Sequence, residues 1–253
     1  MRYHQNLSSV EKRDILEIVK LIARVNIVKL SEYFKAKEVF AQSKVEPPIV
    51  IRLDGVGFGK ALEGFEKPRS RLVHDALVEA CISILNRFGC SMGYVVSDEL
   101  NVVCLDSLPY SGRIEKLNSI SAGIASAIVS LKLGRPLFFD ARIVVLNSGS
   151  EARDYILFRA RVGLNNFIAQ LYHAKYGLKR QTPHLEQMIN LLHDELKGIE
   201  LWKPLGTCIK KEIFAKKAID KKRGTIITVI RRRWHISEGP LHCLENSNVM
   251  ATS

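Results

Sequence analysis

Between residues 47 and 150 the sequence alternates short β-branched runs with longer amphipathic runs, and this order restricts the possible folds more than any other feature. β-Branched runs are typical of strands, and apolar residues spaced three or four apart are typical of helices. The order is strand, helix, hairpin, helix, strand, over residues 49–55, 70–89, 93–106, 113–134 and 137–146. We therefore predict an α+β fold built on a ferredoxin-like βαββαβ unit, an antiparallel sheet with helices on one face.

This topology brings together acidic residues that are far apart in the sequence. In its usual geometry the second strand runs parallel to the first, so the end of the first strand and the hairpin turn share one edge of the sheet. Asp54 ends the first strand, and Asp98 and Glu99 lie at the turn, so we expect them to be neighbours. Mg²⁺ takes one or two carboxylates together with phosphate oxygens. The pattern thus indicates a two-metal site for phosphoryl or nucleotidyl transfer.

A glycine-rich loop, GVGFG at residues 55–59, follows the first strand. Its backbone N–H groups can approach a triphosphate closely. Nearby cations that could neutralise phosphate charge are Lys60, Lys67, Arg113 and Lys116. The loop lacks the GK[ST] of a P-loop and does not enter a helix as a dinucleotide fingerprint does, which disfavours both of those classes. From these residues alone, a simple turn at Asp54 and a solvated hairpin tip at Asp98 stay open as alternatives.

Positive charge is concentrated near the C-terminus. The net charge is +12, and residues 203–233 carry 11 lysines and arginines against two acidic residues. A solvated face explains any single lysine, but this density next to aromatic residues favours an RNA-contacting surface. The candidate contacts are Lys210, Lys211, Arg231, Arg232 and Arg233.

The chain divides into three predicted regions. Residues 1–46 form a helical extension, with helical spacing over 8–45 that stops at two prolines. Residues 47–150 hold the βαββαβ unit. Residues 151–253 form a helical and basic region, with helices over 151–177 and 184–198 and one β-like run over 225–234.

Several classes of protein are excluded or disfavoured. The five cysteines are an odd number without a CxxC pair, so we expect neither a cysteine zinc site nor a disulfide framework. No apolar run reaches the roughly 18 residues of a membrane span, and the N-terminus lacks the apolar core of a signal peptide. We therefore expect a soluble, cytoplasmic protein without a membrane partner.

Five ordered strings resemble the tRNA(His) guanylyltransferase family, and in particular its archaeal-type guanylyltransferase-like members. They are RLDGVGFGKALEGFEKP, SDELN, GRIEKLNS, FDARIVVL and RDYILFRARVGLNNFIAQLY, and the resemblance covers roughly residues 35–215. It implies a palm-like catalytic domain that adds a nucleotide, guanylate, to the 5′ end of tRNA in the 3′-to-5′ direction. It also implies two Mg²⁺ ions held by Asp54, the Gly55 carbonyl and Asp98, with Glu99 as a third catalytic residue.

The same resemblance implies a chemistry in two stages. ATP or GTP activates the 5′-monophosphate of the tRNA, and the 3′-OH of an incoming GTP then displaces the nucleotidyl group. The matching nucleotide-binding candidates are Gly55, Val56, Gly57, Phe58, Gly59, Lys60, Arg52, Lys67, Ser97, Arg113, Lys116 and Ser119.

Three departures from the family pattern bear on the substrate. Val56 stands where the family usually has arginine, and Gly59 replaces the residue that follows the phenylalanine. Leu164 precedes Asn165 and Asn166, where eukaryotic members have an anticodon-reading histidine. The two asparagines stay candidates for RNA contact. We therefore expect addition directed by a templating base, on tRNA(His) or 5′-truncated tRNAs, by a homo-oligomer that the family suggests is a tetramer.

Two other classes of function stay open. One is a palm-type nucleotidyltransferase or cyclase that acts on free nucleotides and needs no RNA. The other is a catalytically silent RNA-binding module, against which the presence of both Asp54 and Asp98 argues.

Overall fold

The computed structural model describes residues 15–177, 181–219 and 224–245. The chain divides into two units, residues 1–42 and residues 43–253. The first contains helices α1 (Ile15–Ala23) and α2 (Ile27–Lys35). The single helix predicted over 8–45 is therefore interrupted, because the Asn26 side chain accepts a hydrogen bond from the Lys29 amide and starts a new helix. Its predicted start at residues 8–14 lies outside the described residues.

The second unit is built on a six-stranded sheet in the order β4-β1-β3-β2-β5-β6, with every neighbouring pair antiparallel. The strands are β1 (Ile49–Gly55), β2 (Met92–Val96), β3 (Glu99–Cys104), β4 (Phe139–Val145), β5 (Thr207–Ile219) and β6 (Ile226–Glu238). The first four reproduce the predicted order, and the bounds of β1 agree with the prediction. β-Branched residues, which favour the pleated sheet, and the prolines before β1 account for that agreement.

Helices cover both faces of this sheet. They are α3 (Phe58–Ala61), α4 (Arg71–Phe88), α5 (Ile114–Leu133), α6 (Glu151–Tyr176), α7 (Leu185–Leu191), α8 (His193–Leu196), α9 (Trp202–Leu205) and α10 (Leu241–Leu244), with a 3₁₀ turn at Pro109–Gly112. The two helices of the βαββαβ unit, α4 and α5, share one buried apolar core with the sheet, as predicted. The opposite face is covered by α6, whose Ile156 and Ala160 pack with Val50 and Tyr94.

Close packing of α6 depends on one glycine. A Cβ atom at Gly163 would lie 2.3 Å from Cγ2 of Val96, nearer than atoms can approach. Gly163 therefore lets α6 pass directly over β2. The C-terminal half of the helix packs instead against α7, through a separate apolar cluster that includes Phe167 and Met188.

The C-terminal region differs most from the sequence prediction. The sequence predicts a single β-like run over 225–234 in the basic segment, but β5 and β6 form a ribbon of two 13-residue strands. β5 also pairs with β2 and so extends the sheet. Lysine and glutamate favour helices, but the open edge of β2 offers a ladder of hydrogen bonds that overrides this preference. The helix predicted over 184–198 is divided at Leu192 into α7 and α8.

The expectation of no disulfides is wrong. Cys90 is bonded to Cys104 across the β2–β3 hairpin, and Cys208 in β5 is bonded to Cys243 in α10. The odd residue, Cys81, is a buried free thiol. Within the described residues, no helix is long and apolar enough to cross a membrane.

Candidate active site

The end of β1 and the β2–β3 turn lie side by side at one edge of the sheet. Asp54 is paired with Glu99 across the β1–β3 ladder. The Gly55 amide donates to the carbonyl of Asp98 at 3.2 Å. The strand order thus joins acidic residues that are 44 positions apart, as the sequence predicted.

The pKa of Asp54 is raised by its surroundings. Burial raises the pKa of its carboxyl group, and the neighbouring Asp98 carboxylate raises it further, while Arg52 acts in the opposite direction. The Arg52 guanidinium lies 3.8 Å from the Asp54 carboxylate and 3.6 Å from that of Glu99. Negative charge at this edge is therefore only partly compensated by the protein, and a cation would be attracted to it.

Asp140 on β4 completes a row of acidic residues across three strands. It is paired with Asp54 across the β1–β4 ladder, so Asp140, Asp54 and Glu99 lie on one face of the sheet. Two hydrogen bonds from Arg142, at 2.9 and 3.0 Å, hold the Asp140 carboxylate. Asp140 lies in the predicted fourth strand, but the sequence assigned it no role because it stands outside the RLDG and SDE strings.

Glu99 is adjacent to Asp54 but is held by other protein groups. Arg159 of α6 donates from Nε to Oε1 at 2.8 Å and also donates to Oε2. The Asn101 amide donates to Oε1 at 2.8 Å. Burial raises the pKa of Glu99, and the bonds from Arg159 and Asn101 lower it. The predicted catalytic residue Glu99 therefore lies in a buried ion pair that ties α6 to the sheet edge.

The loop after β1 is fixed by close packing. A Cβ atom at Gly55 would lie 2.4 Å from the Phe58 ring, so only glycine lets the buried Phe58 fold back onto the strand end. The Phe58 ring packs edge-on against Phe139, with 5.0 Å between centroids. Gly57, at φ 67°, provides the left-handed turn into α3. These contacts hold the exposed backbone at 56, 57 and 59 beside the carboxylates.

A cleft of about 910 Å³ opens next to the carboxylate edge. Ser97 and Asp98 of the hairpin turn form part of its wall, and the Ser97 hydroxyl donates to the Asp98 carboxylate at 2.9 Å. The predicted site residues on the wall are Phe58, Gly59, Lys67, Ser97, Asp98 and Asn166. The structure thus gathers loop, turn and helix α6 around one space of the size that ligand pockets usually have.

Arg69 is a wall residue that sequence analysis missed. Its Nη1 donates to the Pro68 carbonyl and to Oε1 of Gln170, each at 3.1 Å. Its Nε is buried without a hydrogen-bond partner among the described residues. Burial lowers the pKa of Arg69, and the nearby Asp98 raises it. A half-buried guanidinium with a spare donor suits an anionic ligand, because charge-assisted bonds to phosphate are strong.

Two aromatic groups close the far side of the cleft. The His74 ring stacks on Trp202 with 4.5 Å between centroids, and its Nε2 lies 2.7 Å from the Thr207 hydroxyl. Burial, helped by Arg71 and Arg69, lowers the pKa of His74 to about 4. His74 is therefore neutral near pH 7. The indole N–H of Trp202 is buried without a partner among the described residues and adds a second spare donor.

Three predicted nucleotide contacts lie elsewhere. Arg113 precedes α5 and bridges to Lys44, which comes before the start of β1, whereas Asp54 is at its end. The strand from Ile49 to Asp54 alone spans roughly 17 Å. Because α5 begins at the opposite end of the sheet from Asp54, the structure does not bring Arg113, Lys116 and Ser119 next to Asp54, and their assignment as nucleotide contacts stays a prediction. Val56 is exposed on the loop after β1, and Lys60 is exposed on α3.

The predicted RNA contacts are also dispersed. Arg231 and Arg233 lie on one face of the ribbon and Arg232 on the other, because side chains alternate along a strand. Lys210 is half-buried and donates to the carbonyls of His242 and Glu245, so its ammonium already has two partners within the chain, and its contact with RNA stays a prediction.

The remaining RNA candidates also lie in separate places. Lys211 lies 4.9 Å above the Trp234 ring. On α6, Leu164 packs into an apolar cluster, Asn165 is exposed and Asn166 faces the cleft.

Comparison with known proteins gives a family match and one similar viral protein. The family model for tRNAHis guanylyltransferase (Thg1) matches residues 31–161, more than half of the chain. Uncharacterized protein R259 of Acanthamoeba polyphaga mimivirus is 27% identical over 237 residues, covering 77% of this chain and 79% of that protein.

Solved structures share the fold. A bacterial tRNA(His) guanylyltransferase (Thg1)-like protein in complex with ATP is 24% identical with a TM-score of 0.67, over 85% of this chain and 94% of that one. The same kind of protein in complex with GTP is 23% identical with a TM-score of 0.68, over 83% and 91%. The tRNA(His) guanylyltransferase of Saccharomyces cerevisiae is 15% identical with a TM-score of 0.56, over 75% and 94%.

The family match covers the strand that ends in Asp54, the loop after it and the hairpin turn with Asp98, and the shared fold extends over most of the chain. The chain belongs to the tRNAHis guanylyltransferase family and is a nucleotidyltransferase of that type.

Proposed function

We propose that this protein adds guanylate to the 5′ end of tRNA in the 3′-to-5′ direction, opposite a templating base. In the first stage the 5′-monophosphate of the tRNA attacks the α-phosphate of ATP or GTP and releases pyrophosphate. In the second, the 3′-OH of an incoming GTP attacks the activated 5′ phosphate and releases AMP or GMP. The observation that carries this proposal is the juxtaposition of Asp54 and Asp98 beside a cleft with unpartnered cationic and polar donors.

Mg²⁺ fits the donor groups at the sheet edge. Asp54 and Asp98 are close enough for one carboxylate to raise the pKa of the other, and a divalent cation would relieve that repulsion. We infer that Asp54, Asp98 and the Gly55 carbonyl hold two Mg²⁺ ions together with phosphate oxygens of the substrates. When bound, the ions supply charge neutralisation at the transferring phosphoryl group.

The cleft would hold the activating nucleotide. Arg69 and Lys67 are the cations on its wall, and we assign them to the triphosphate. Asn166 and Gln170 of α6 offer amide groups at the same wall, with the stacked pair His74 and Trp202 behind them. The bacterial relatives in complex with ATP and with GTP support nucleotide binding on this fold.

Glu99 has a positioning role in this proposal. Both of its carboxylate oxygens accept bonds from Arg159, which anchors α6, and Asn101 adds a further bond. Arg52 lies between Glu99 and Asp54. We infer that Glu99 fixes Arg52 and α6, and that these two in turn fix the carboxylate of Asp54 and the cleft wall.

The substrate is proposed to be tRNA(His) or a 5′-truncated tRNA, bound by a homo-oligomer, and by family resemblance a tetramer. Leu164 packs against apolar neighbours and lacks any group that could read an anticodon base. Exposed apolar side chains on α1 and α2, including Ile15, Ile22 and Phe34, support contact with a second copy of the chain.

One assay tests the proposal. The purified protein is incubated with Mg²⁺, labelled ATP and a 5′-monophosphorylated tRNA that lacks its first nucleotide, and products are resolved by length. We expect a 5′-adenylylated tRNA, and after addition of GTP a tRNA longer by one nucleotide. Labelled cyclic or polymeric products without RNA would instead indicate an enzyme acting on free nucleotides. Tight tRNA binding without any product would indicate a silent module.

A further inference from the structure

A second group of metal-ligating side chains lies away from the carboxylate edge, where the β5–β6 ribbon meets α10. Glu212 of β5, His235 of β6 and His242 of α10 place one ligand atom each within 4.8 Å of the others. Nδ1 of His235 lies 3.3 Å from Oε1 of Glu212, and Nε2 of His242 lies 3.6 Å from the same oxygen. Three separate elements thus converge on one point.

Two of the three spacings between these ligand atoms agree with the geometry of zinc, and the third is at most 4.8 Å. Bonds of about 2.0–2.2 Å in a tetrahedral site separate neighbouring ligand atoms by about 3.3–3.5 Å. The contacts of His235 and His242 with Glu212 are close to that edge length, whereas the contact at 3.6 Å is too long for a hydrogen bond. Two imidazoles and one carboxylate with a water in the fourth position form a recurrent zinc ligand set.

His242 is oriented for this role by a second carboxylate. Its Nδ1 lies 3.1 Å from Oε2 of Glu245, so that nitrogen carries the proton and donates it. Nε2 then presents its lone pair to Glu212 and His235, and it is buried without a hydrogen-bond partner among the described residues. A carboxylate that accepts from the far nitrogen is the usual companion of a metal-bound histidine.

The surroundings hold the ligands in place. Arg233 donates to Oε2 of Glu212 at 3.1 Å, which leaves Oε1 directed at the two histidines. The disulfide between Cys208 and Cys243 fastens α10 to β5 directly beside His242. Lys210 donates to the carbonyls of His242 and Glu245 and fixes the backbone of α10. Nε2 of His242 is thus a buried ring nitrogen without a hydrogen-bond partner among the described residues.

We propose that Glu212, His235 and His242 bind one Zn²⁺ ion that fastens the base of the β5–β6 ribbon to α10. Nitrogen ligands favour zinc over Mg²⁺, which prefers an all-oxygen octahedron. The site is separate from the Mg²⁺ site inferred at Asp54 and Asp98, because its ligands come from β5, β6 and α10. The bound ion would join β5, β6 and α10 at one point, with a water as its fourth ligand.

The test is a zinc titration of the purified full-length chain, with its affinity tag removed and excess Mg²⁺ present to occupy the Asp54 and Asp98 carboxylates. No reductant is added, since both disulfides then stay closed and Cys81 is buried, so thiolates do not compete for zinc among the described residues. We expect one Zn²⁺ per chain to survive dialysis and the melting temperature to rise with zinc.

Variants separate this site from an ion-pair cluster. His235→Ala and His242→Ala should each lose the retained zinc and the rise in melting temperature. Glu245→Gln should bind zinc about 10–100-fold more weakly, because it alters only the carboxylate that orients His242. His193→Ala, an exposed histidine on α8, is the matched control and should bind as the wild type does.

Each outcome decides the question. If the wild type binds zinc no more tightly than the double variant His235→Ala/His242→Ala, the three residues form only an ion-pair cluster and the proposal is wrong. Because His235 lies on the ribbon rather than in the core, its variant keeps the test valid even if His242→Ala does not fold. The test measures zinc binding and melting temperature and not activity on tRNA. Its result is therefore independent of the proposed function.

Discussion

Asp54 and Asp98 show how a reactive site is assembled at the scale of single residues. Their carboxylates are close because the Gly55 amide bonds to the Asp98 carbonyl, and the proximity raises the pKa of Asp54. A folded protein without a bound cation therefore pays for this arrangement in stability. Carboxylates with a shifted pKa cluster at functional sites, so the raised pKa of Asp54 supports the proposed metal site.

We predict that Asp54→Asn and Asp98→Asn each lower nucleotide addition by about 10³-fold, since several kcal/mol of transition-state stabilisation depend on both carboxylates. Single-turnover assays with 5′-adenylylated tRNA measure this loss. Asp140→Asn is the matched control, because Asp140 lies in the same acidic row but is engaged by Arg142. A loss for Asp140→Asn as large as that for Asp54→Asn would contradict the assignment.

Asp54→Asn should also change how the free energy of unfolding depends on pH. Because the folded pKa of Asp54 is raised from 3.8, the folded state binds more protons than the unfolded state just above that pH, and stability falls as pH rises through this window. Asp54→Asn removes this cost. Urea denaturation should therefore show the variant more stable than wild type at pH 7, with the difference shrinking as pH falls toward 3.8.

Arg159 and Arg142 provide a second comparison at this scale. Both arginines hold a carboxylate with two hydrogen bonds, but the Arg159–Glu99 pair is buried, with side-chain exposures of 14% and 5%, and the Arg142–Asp140 pair is exposed. Arg159→Ala should lower the free energy of unfolding by about 3–5 kcal/mol, because the buried Glu99 loses its closest cation and keeps only the Asn101 bond and the more distant Arg52. Arg142→Ala should cost about 0–1 kcal/mol. Equal effects in urea denaturation would show that burial of Glu99 does not matter.

At the scale of helices and strands, local patterns predicted the βαββαβ unit because its residues and its tertiary contacts agree. β1 is β-branched and ends at a glycine, and α4 has apolar spacing between Ser70 and Gly89. The ribbon was missed because the pairing of β5 depends on the free edge of β2, more than 100 residues earlier.

Individual residues were missed for related reasons. Arg69 looked like any loop arginine, since its burial depends on the distant Gln170. The Cys90–Cys104 bond could have been found, because Cys90 comes just before the predicted hairpin and Cys104 lies in its second strand. The odd number of cysteines concealed it.

Two helical glycines offer a matched test of how α6 packs. Gly163→Ala places a Cβ atom against Val96, so we expect a loss of about 1–3 kcal/mol in the free energy of unfolding. Gly123 of α5 has no atom within 4 Å of such a Cβ, so Gly123→Ala should stabilise the protein by about 0.5–1 kcal/mol. Thermal or urea denaturation of the two variants checks the sign. Stabilisation by Gly163→Ala would show that α6 does not approach β2 this closely.

The ribbon is the element to which we assign RNA affinity. Arg231 and Arg232 are exposed on its opposite faces. Replacing both with alanine should weaken tRNA binding and flatten the plot of log affinity against log salt by about 0.7–0.9 per lost phosphate contact. Filter binding at several salt concentrations measures this slope, with Lys132→Ala on α5 as the control. An unchanged slope would mean that the ribbon arginines are only solvated.

In the whole molecule, one chain of the tRNAHis guanylyltransferase family carries a carboxylate edge, a cleft of nucleotide size and a basic ribbon. The sequence resemblance predicted the edge and the family, because the residues concerned are contiguous in short strings. It did not predict the cleft wall formed by Arg69, His74 and Trp202, which come from three segments that only the folded chain brings together. Which substrate the protein takes therefore depends on the carboxylate edge, the cleft and the ribbon together.

In the proposed function, a templating base directs the addition. The most direct measurement supplies a 5′-truncated tRNA with each of the four bases opposite the vacant position, all four nucleoside triphosphates and Mg²⁺, and identifies the added nucleotide. We predict the Watson–Crick partner in each case, with little change when the tRNA(His) anticodon is replaced. Addition of guanylate whatever the opposite base, or a strict requirement for the histidine anticodon, would contradict the account.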